Sequence, residues 1–239
     1  MRVNCAVMML VVAAVAAAPP SPAWTALAPG AERLHVDDGD VDLFRFDLTR
    51  FRADVAVPGA GGPMTAAELR RESGAVLVVN GGFFDTNGRS LGLRVASGRQ
   101  LIKLRAVVDW GVLVIRDGRA DIVHSRDFAA AAVAAPPVTA AIQVGPRILV
   151  DGKPPPLKPQ AARRTAVALD QTGRFLTIVV ARARMEAGAL ALTLERLGFH
   201  RALMLDGGPS TQLSAHIAGF TLDIAGGYAV PDLLLVRPR

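Results

Sequence analysis

Apolar and charged residues alternate over several parts of this chain, as they do in half-buried β-strands. The alternation is clearest over residues 34–57, where apolar residues are separated by charged ones. Residues 107–115 and 120–123 are two further apolar segments, and Asp117-Gly118 between them is a pair that favours a tight hairpin. The first half of the chain is therefore predicted to be rich in β-strands.

A second pattern, in which a helix, a glycine, a strand, a polar residue and Gly-Gly follow in that order, occurs twice. The two copies span residues 65–82 and 189–208. In the first copy, Thr65 and Glu68 form a capping box, which predicts a helix from 66 to about 73 that stops at Gly74. In the second copy, a helix over about 189–197 precedes Gly198 and a strand at 202–205.

The strands of these two copies are almost entirely apolar. Residues 75–79, AVLVV, carry no charge, which predicts burial on both faces and a central place in a sheet. Further along, residues 142–150 and 165–169 are also predicted strands. The proline-rich segment 154–164 is predicted to be irregular because its prolines remove backbone donors, whereas the alanine-rich 129–137 fits either a short helix or a loop.

These elements predict an α/β to α+β fold. We expect a single domain with a mixed, twisted β-sheet flanked by helices. The two Gly-Gly loops, 80–82 and 206–208, would then lie at adjacent strand ends, where open sheets tend to bind ligands.

The amino terminus has the layout of a secretory signal peptide. Arg2 precedes an uninterrupted apolar run, residues 5–18, which is too short to span a bilayer and is followed by prolines and small residues. We predict a signal peptide over 1–23, with cleavage at the latest near 28, and a domain over 24–239. Export to the periplasm or the extracellular space would leave no stable membrane span. Cleavage would also remove Cys5, the only cysteine, so disulfides are excluded.

The composition fits a folded domain and excludes several classes of function. The chain has 239 residues, 51% of them hydrophobic, and a formal net charge of +6. Its basic residues are scattered and aromatics make up 5%, so nucleic acid is not an expected partner. No HExxH pattern is present, which argues against a dedicated zinc site, and no GxSxG pattern surrounds Ser210, which argues against that serine as the nucleophile of a serine hydrolase. We predict no cofactor, and a divalent cation stays open as an alternative. The four histidines are His35, His124, His200 and His216.

Two glycine-rich loops carry the candidate chemistry. In DGGPST, Asp206 offers a carboxylate beside glycine amides and two hydroxyls, a combination that suits an anion. The alternative is that Asp206 and Ser210 only cap a turn. In NGGFFD, Asn80 can both donate and accept hydrogen bonds, while Asp85 is either a second carboxylate or a turn residue.

Four motifs, taken in order, resemble the phosphodiester glycosidase family. They are NGGFF at 80–84, GPRILVDG at 145–152, RRTAVALD at 163–170 and LMLDGGPSTQL at 203–213. The resemblance implies the catalytic residues Asp206, Arg164 and Asn80. It implies the substrate-binding residues Gly81, Gly82, Thr165, Gly207, Gly208, Ser210 and Thr211. The chain departs from many relatives in having Pro209 where they have a third glycine.

Together with the predicted signal peptide, the resemblance implies an exported hydrolase that cleaves a sugar-1-phosphodiester linkage in an envelope or extracellular glycan. Glycoside hydrolysis normally uses two carboxylates. A departing phosphate is a weak base, so one carboxylate, one arginine and hydrogen-bond donors suffice. The alternative is a non-catalytic glycan-binding or exopolysaccharide-assembly protein that uses the same cleft. The sequence leaves the sugar, the group beyond the phosphate, the retaining or inverting outcome and the oligomeric state open.

Overall fold

A computed structural model of the chain describes residues 23–59, 61–133 and 136–239. Nearly all of the predicted signal peptide, residues 1–22, lies outside the described residues. Across the described ranges, no helix combines the length and the apolar character that a membrane crossing requires.

Strands dominate the described part of the chain. The first nine are β1 (Thr25–Ala28), β2 (Ala31–Val36), β3 (Val41–Asp47), β4 (Phe51–Ala56), β5 (Leu77–Asn80), β6 (Arg94–Ala96), β7 (Arg99–Ile102), β8 (Gly111–Arg116) and β9 (Arg119–His124). The others are β10 (Ala140–Val144), β11 (Arg147–Leu149), β12 (Ala161–Leu169), β13 (Phe175–Glu186), β14 (Arg201–Met204), β15 (Leu213–Ile217), β16 (Phe220–Ile224) and β17 (Leu233–Pro238).

Three α-helices accompany the strands in the described ranges: α1 (Ala66–Ser73), α2 (Phe128–Ala132) and α3 (Ala187–Arg196). The predicted capping box of α1 is confirmed, because the Glu68 N–H donates to the Thr65 hydroxyl and the Glu68 carboxylate accepts from the Thr65 N–H at 2.8 Å. Gly74 ends α1 in the left-handed region, at φ +66°. Helix α3 begins two residues before its predicted start.

The strands form three sheets. Their orders are β1-β2-β3-β13-β12-β14-β11, β7-β6-β10-β8-β9 and β16-β15-β5-β17-β4. The α+β class and the single domain are confirmed. The expected single mixed sheet differs from the three observed, and all strand pairs between the described residues are antiparallel. Short turns such as Asp117-Gly118, which joins β8 to β9, can connect only antiparallel neighbours.

The three sheets share one hydrophobic core and each carries a helix on its other face. Phe44 and Ile178 of the first sheet pack in the same cluster as Leu113 of the second and Val79 of the third. Outside this core, α3 covers the first sheet, α2 the second and α1 the third. Strand β5 is buried along its whole length and lies at the centre of its sheet, as predicted.

Two of the predicted segments differ from the structure. The single strand expected over 142–150 is two strands, β10 and β11, separated by Gly145-Pro146, because proline has no N–H for the ladder. The segment expected to be irregular up to 164 joins β12 at Ala161, where β13 supplies a pairing partner through Glu186. Its last proline, Pro159, precedes this start.

Both copies of the helix, glycine and strand pattern are present, but they belong to different sheets. The first copy leads into β5 of the third sheet and the second into β14 of the first sheet. Their loops nevertheless meet, because the Asp206 N–H donates to the Gly81 carbonyl oxygen at 3.0 Å. The packing of two sheets therefore brings the two Gly-Gly loops together.

Candidate functional site

The Asn80 side chain joins the strand ends that surround the site. It is fully buried, and its amide nitrogen donates to the Asp206 carbonyl oxygen at 2.8 Å. Its amide oxygen accepts from the Thr165 hydroxyl at 2.8 Å and from the Gln212 N–H at 3.2 Å. The side chain thus binds β12, the Asp206 loop and the start of β15 at once. Its contacts are to protein, so it holds the loop in place.

The Asp206 carboxylate lies half-buried just beyond the end of β14. One oxygen accepts from the Ser210 hydroxyl at 2.5 Å and the other from the Gly207 N–H at 2.9 Å. Burial raises the pKa of Asp206, and the nearby Asp232 raises it further, while the two hydrogen bonds act in the opposite direction. A carboxylate held in this way can accept a proton from a substrate or water.

The DGGPST loop turns tightly around this carboxylate. A side chain at Gly207 would lie 2.9 Å from the Arg163 carbonyl oxygen, and Gly208 has φ +61°, so both positions favour glycine. Pro209 lies in a 3₁₀ turn over Gly208–Ser210, which suits its fixed φ. The Gly207 amide is already bonded to Asp206 and proline has no N–H. The run of free amides expected from the sequence is therefore shortened to that of Gly208.

Thr211 is the second hydroxyl of this loop. Its side chain is fully buried, and its oxygen has no hydrogen-bond partner among the described residues. Its N–H donates to the Gly208 carbonyl oxygen at 3.2 Å, which closes the turn.

Asp232 holds the other glycine loop from behind. Its carboxylate accepts from the Gly82 N–H at 2.8 Å, and its carbonyl oxygen accepts from the Gly81 N–H at 2.9 Å. A Cβ at Gly81 would stand 1.9 Å from the Asp232 carboxylate, so only glycine permits this approach. The buried Arg94 lies 3.0 Å from the same carboxylate, and Ser90 also donates to it. The Gly81 and Gly82 amides therefore serve the protein's own structure.

The two neighbouring arginines of β12 lead in different directions. Arg164 donates to the Met185 carbonyl oxygen at 3.0 Å, near the start of α3, whereas Arg163 donates to the Ala225 carbonyl oxygen at 3.2 Å. The register of β12 against β13 shifts between Ala162 and Arg164, so the regular alternation of strand faces is interrupted at Arg163. Within the described ranges, no hydrogen bond or ion pair joins Arg164 to the Asp206 loop.

The other acidic residues that could bind a metal ion already have protein partners. Asp85 accepts from the N–H groups of Asn87 and Arg89, so it is a turn residue. The one grouping of potential ligands in the described part of the chain is His35, Asp40 and Asp42 on the β2–β3 hairpin. Two arginines, Arg33 and Arg182, already pair with Asp42, and their positive charges oppose the binding of a cation there.

Four residues of the site lay outside the sequence prediction: Arg94, Gln212, Tyr228 and Asp232. Gln212 links the loop to α1, because its amide oxygen accepts from the Ala66 N–H at 2.8 Å. Tyr228 lies across the loop, with its hydroxyl 3.2 Å from that of Ser210. Asp232 had a signal in the sequence, since it is a lone charge directly before the apolar run of β17.

Solved structures share this fold. The catalytic domain of zebrafish N-acetylglucosamine-1-phosphodiester alpha-N-acetylglucosaminidase, auto-inhibited by its pro-peptide, aligns with a TM-score of 0.64 and 17% identity over 87% of this chain and 82% of that one. A hypothetical protein from Synechocystis aligns with a TM-score of 0.63 and 15% identity, over 93% of this chain and 64% of that protein. A candidate exported protein from Burkholderia pseudomallei K96243 aligns with a TM-score of 0.60 and 14% identity, over 87% and 74%.

At these identities the structural likeness shows the fold alone. No curated protein sequence matches the chain. The sequence model of the phosphodiester glycosidase family, in contrast, matches residues 73–237, which cover more than half of the chain. That match includes both glycine loops, β12 and Asp232. The chain therefore belongs to the phosphodiester glycosidase family.

Proposed function

We propose that this protein hydrolyses the bond between the anomeric carbon of a sugar and the phosphate of a phosphodiester. The observation that carries the proposal is the state of Asp206, a half-buried carboxylate at the junction of two glycine loops whose pKa is raised by burial. Membership of the phosphodiester glycosidase family supports the same reaction class.

The carboxylates at the site favour phosphate as the leaving group. Glycosidases usually need two carboxyl groups, one of which protonates the leaving oxygen. Around these loops the described residues offer Asp206, Asp232 and Asp85, and the last two are committed to Arg94 and to turn amides. One open carboxylate is enough if the leaving group is a weak base. A released phosphate monoester is such a group, with a second pKa of about 6.

In the proposed reaction, water attacks the anomeric carbon and Asp206 takes one of its protons. The bond between that carbon and the phosphate oxygen breaks, and its electron pair leaves with the phosphate. The water oxygen stays on the sugar as a hydroxyl, so the products are a free sugar and a phosphate monoester. Ser210 and Gly207 hold the carboxylate in position for this transfer.

An arginine of β12 would hold the phosphate through its planar fork of donors. Arg164 is the residue that the family resemblance implies, and its half-buried guanidinium lies at the end of β13. Arg163 is a second candidate, because its carbonyl oxygen lies close to Gly207 and its side chain reaches Ala225, three residues before Tyr228. Asn80 would act through the loop, as a positioning residue. Thr211, Gly208 and the other glycines would shape the substrate-binding surface.

The test is turnover of a synthetic sugar-1-phosphodiester by the purified protein and by single variants. Asp206→Asn is expected to reduce kcat by at least about 100-fold, since it removes the proton acceptor. Of Arg163→Ala and Arg164→Ala, the one that binds phosphate should raise KM for the diester, whereas exposed Arg99→Ala serves as the matched control. Unchanged turnover in Asp206→Asn would refute the assignment. Binding without turnover by the unmodified protein would favour a glycan-binding protein.

We further propose that the substrate lies outside the cytoplasm, in an envelope or extracellular glycan. The predicted signal peptide over 1–23 supports export, and one structurally similar protein is a candidate exported protein. Cleavage after Ala23 would keep β1, which pairs with β2, and Trp24, whose ring lies 4.1 Å from the Arg45 guanidinium. The mass of the exported protein tests this, because cleavage after Ala28 would remove β1.

A further inference from the structure

Tyr228 is exposed and yet held firmly beside the candidate carboxylate. The residue is 46% exposed, although its ring packs edge to face against that of Phe84 with 6.1 Å between the ring centroids. Its carbonyl oxygen accepts from the Gln212 side chain at 3.1 Å, and the preceding Gly227 N–H donates to the Pro209 carbonyl oxygen at 2.7 Å. An aromatic ring fixed in this way presents a prepared surface to solvent.

The hydroxyl of Tyr228 is connected to Asp206 through a single residue. The Ser210 hydroxyl has one proton, and its 2.5 Å bond to the Asp206 carboxylate uses that proton. The 3.2 Å contact between the two hydroxyls must then have Tyr228 as donor and Ser210 as acceptor when Asp206 is ionised. The available protons therefore fix the direction of the hydrogen bonds: Tyr228 donates to Ser210, and Ser210 donates to Asp206. Tyr228 keeps lone pairs that can accept from a ligand.

We propose that Tyr228 binds the sugar at this site, with its aromatic ring packed against the sugar ring and its hydroxyl orienting Ser210 toward Asp206. This inference rests on the proposed function, because it places the sugar next to Asp206. One face of a pyranose carries C–H groups that pack against an aromatic ring, while its hydroxyls need polar partners at the ring's edge. Tyrosine offers both in one side chain.

The charges around this chain of hydroxyls explain why Tyr228 matters for Asp206. Asp232 lies behind the carboxylate and raises its pKa, and Arg163 lies beside the loop with its guanidinium on Ala225. The hydrogen bond from Tyr228 makes Ser210 a stronger donor to the ionised Asp206. Removing that bond should therefore raise the pKa of Asp206 and move the acid limb of the kcat profile to higher pH.

A direct test uses the fact that the chain has a single tyrosine. Replacing tyrosine with 3-fluorotyrosine gives the full-length mature protein one ¹⁹F resonance, which reports on position 228. We expect a saturable shift on addition of at least one sugar 1-phosphate from a set of glucose, galactose, mannose and N-acetylglucosamine 1-phosphates. Inorganic phosphate alone should leave the resonance unchanged. No saturable shift with any sugar phosphate, or an equal shift with phosphate alone, would overturn the proposal.

Two variants separate the ring from the hydroxyl. Tyr228→Phe keeps the ring, so KM should change by less than about threefold, while kcat falls by about threefold to tenfold and its acid limb moves up in pH. Tyr228→Leu also removes the ring and should raise KM by roughly fivefold or more. Urea unfolding of both variants checks that the fold is retained. Unchanged KM in Tyr228→Leu together with an unchanged pH profile in Tyr228→Phe would refute the inference.

The experiments distinguish a failure of this inference from a failure of the proposed function. If the unmodified protein hydrolyses the diester and the Tyr228 variants match it, the reaction stands and the role of Tyr228 is wrong. If the unmodified protein fails to hydrolyse the diester, the proposed reaction is wrong. The ¹⁹F titration then still decides whether Tyr228 contacts a sugar, because it requires no turnover.

Discussion

The buried ion pair of Arg94 and Asp232 offers the most demanding test of how the site is held. Both side chains are fully buried, and the guanidinium nitrogen lies 3.0 Å from the carboxylate. Arg94 also donates to the carbonyl oxygens of Leu93 and Gln143, each at 3.0 Å. Arg94→Met leaves the Asp232 charge buried without a cation, which should reduce the free energy of unfolding by about 3–5 kcal/mol.

The expected loss is large enough to measure by urea unfolding and by calorimetry. For a domain of this size it corresponds to a Tm lower by about 6–20 °C. Arg99 is exposed on β7, and Arg99→Met serves as the matched control with an expected change within about 0.5 kcal/mol. The effect should reach the site as well, because Asp232 holds Gly81 and Gly81 holds Asp206. Turnover should fall in Arg94→Met even where the variant is fully folded.

A double-mutant cycle shows whether the buried charge is the cause. Asp232→Asn keeps an acceptor for the Gly82 N–H but removes the charge. In the presence of Arg94→Met, this second change should cost less than it does alone, so that the two losses are smaller together than their sum. Losses that simply add would refute the reasoning, because they would mean that the two residues stabilise the fold independently.

Three further predictions follow from single contacts. Gly81→Ala should abolish turnover, since a Cβ there meets the Asp232 carboxylate oxygen at 1.9 Å. Gly188→Ala in α3 is the control, because open space surrounds that position. It should leave turnover unchanged and leave the free energy of unfolding equal or higher. Asp206→Asn should leave the protein at least as stable as the unmodified chain at pH 7. The folded-state pKa of Asp206 is raised, so its contribution to the free energy of unfolding is lost as pH rises through that pKa. Urea unfolding of both proteins at pH 5 and 8 measures the difference. The hydrogen bond with Arg174 lowers the pKa of Asp47, so this carboxylate stabilises the fold at pH values above its unfolded pKa of about 3.9. Asp47→Asn should therefore reduce the free energy of unfolding at neutral pH, and the reduction should shrink as the pH falls below about 3.9. Acid titration of both proteins measures this.

Local patterns were sufficient to predict many elements of the fold. The capping box at Thr65 and the glycine at 74 define α1 to the residue, because both signals act within one turn of the helix. The Asp117-Gly118 pair likewise predicts the hairpin of β8 and β9. These patterns did not predict the arrangement in three sheets. A buried apolar strand such as β5 fits a mixed sheet as well as an antiparallel one, so its sequence does not distinguish the two.

The site was predicted in part. The motifs identified both glycine loops, and the structure shows them in contact through Asp206 and Gly81. The sequence also suggested that the glycine amides were free, but those of Gly81, Gly82 and Gly207 are bonded within the protein. The amides of Gly81 and Gly82 are bonded to Asp232, which lies 150 residues after Gly82 and which no local pattern connects with it.

The sequence alone determined the chemistry that is available: one carboxylate at the end of an apolar strand, hydroxyls beside it and a pair of arginines before another strand. These follow from residue type and short-range spacing, which the chain carries directly. Only the tertiary structure decided which of these groups meet. The irregular register of β12 and the packing of the sheets direct Arg163 to Ala225 and Arg164 to Met185, bury Asn80 between three segments, and place the exposed Tyr228 across from Ser210. Such contacts arise from residues far apart in the chain, because their positions depend on how the sheets pack around the common core.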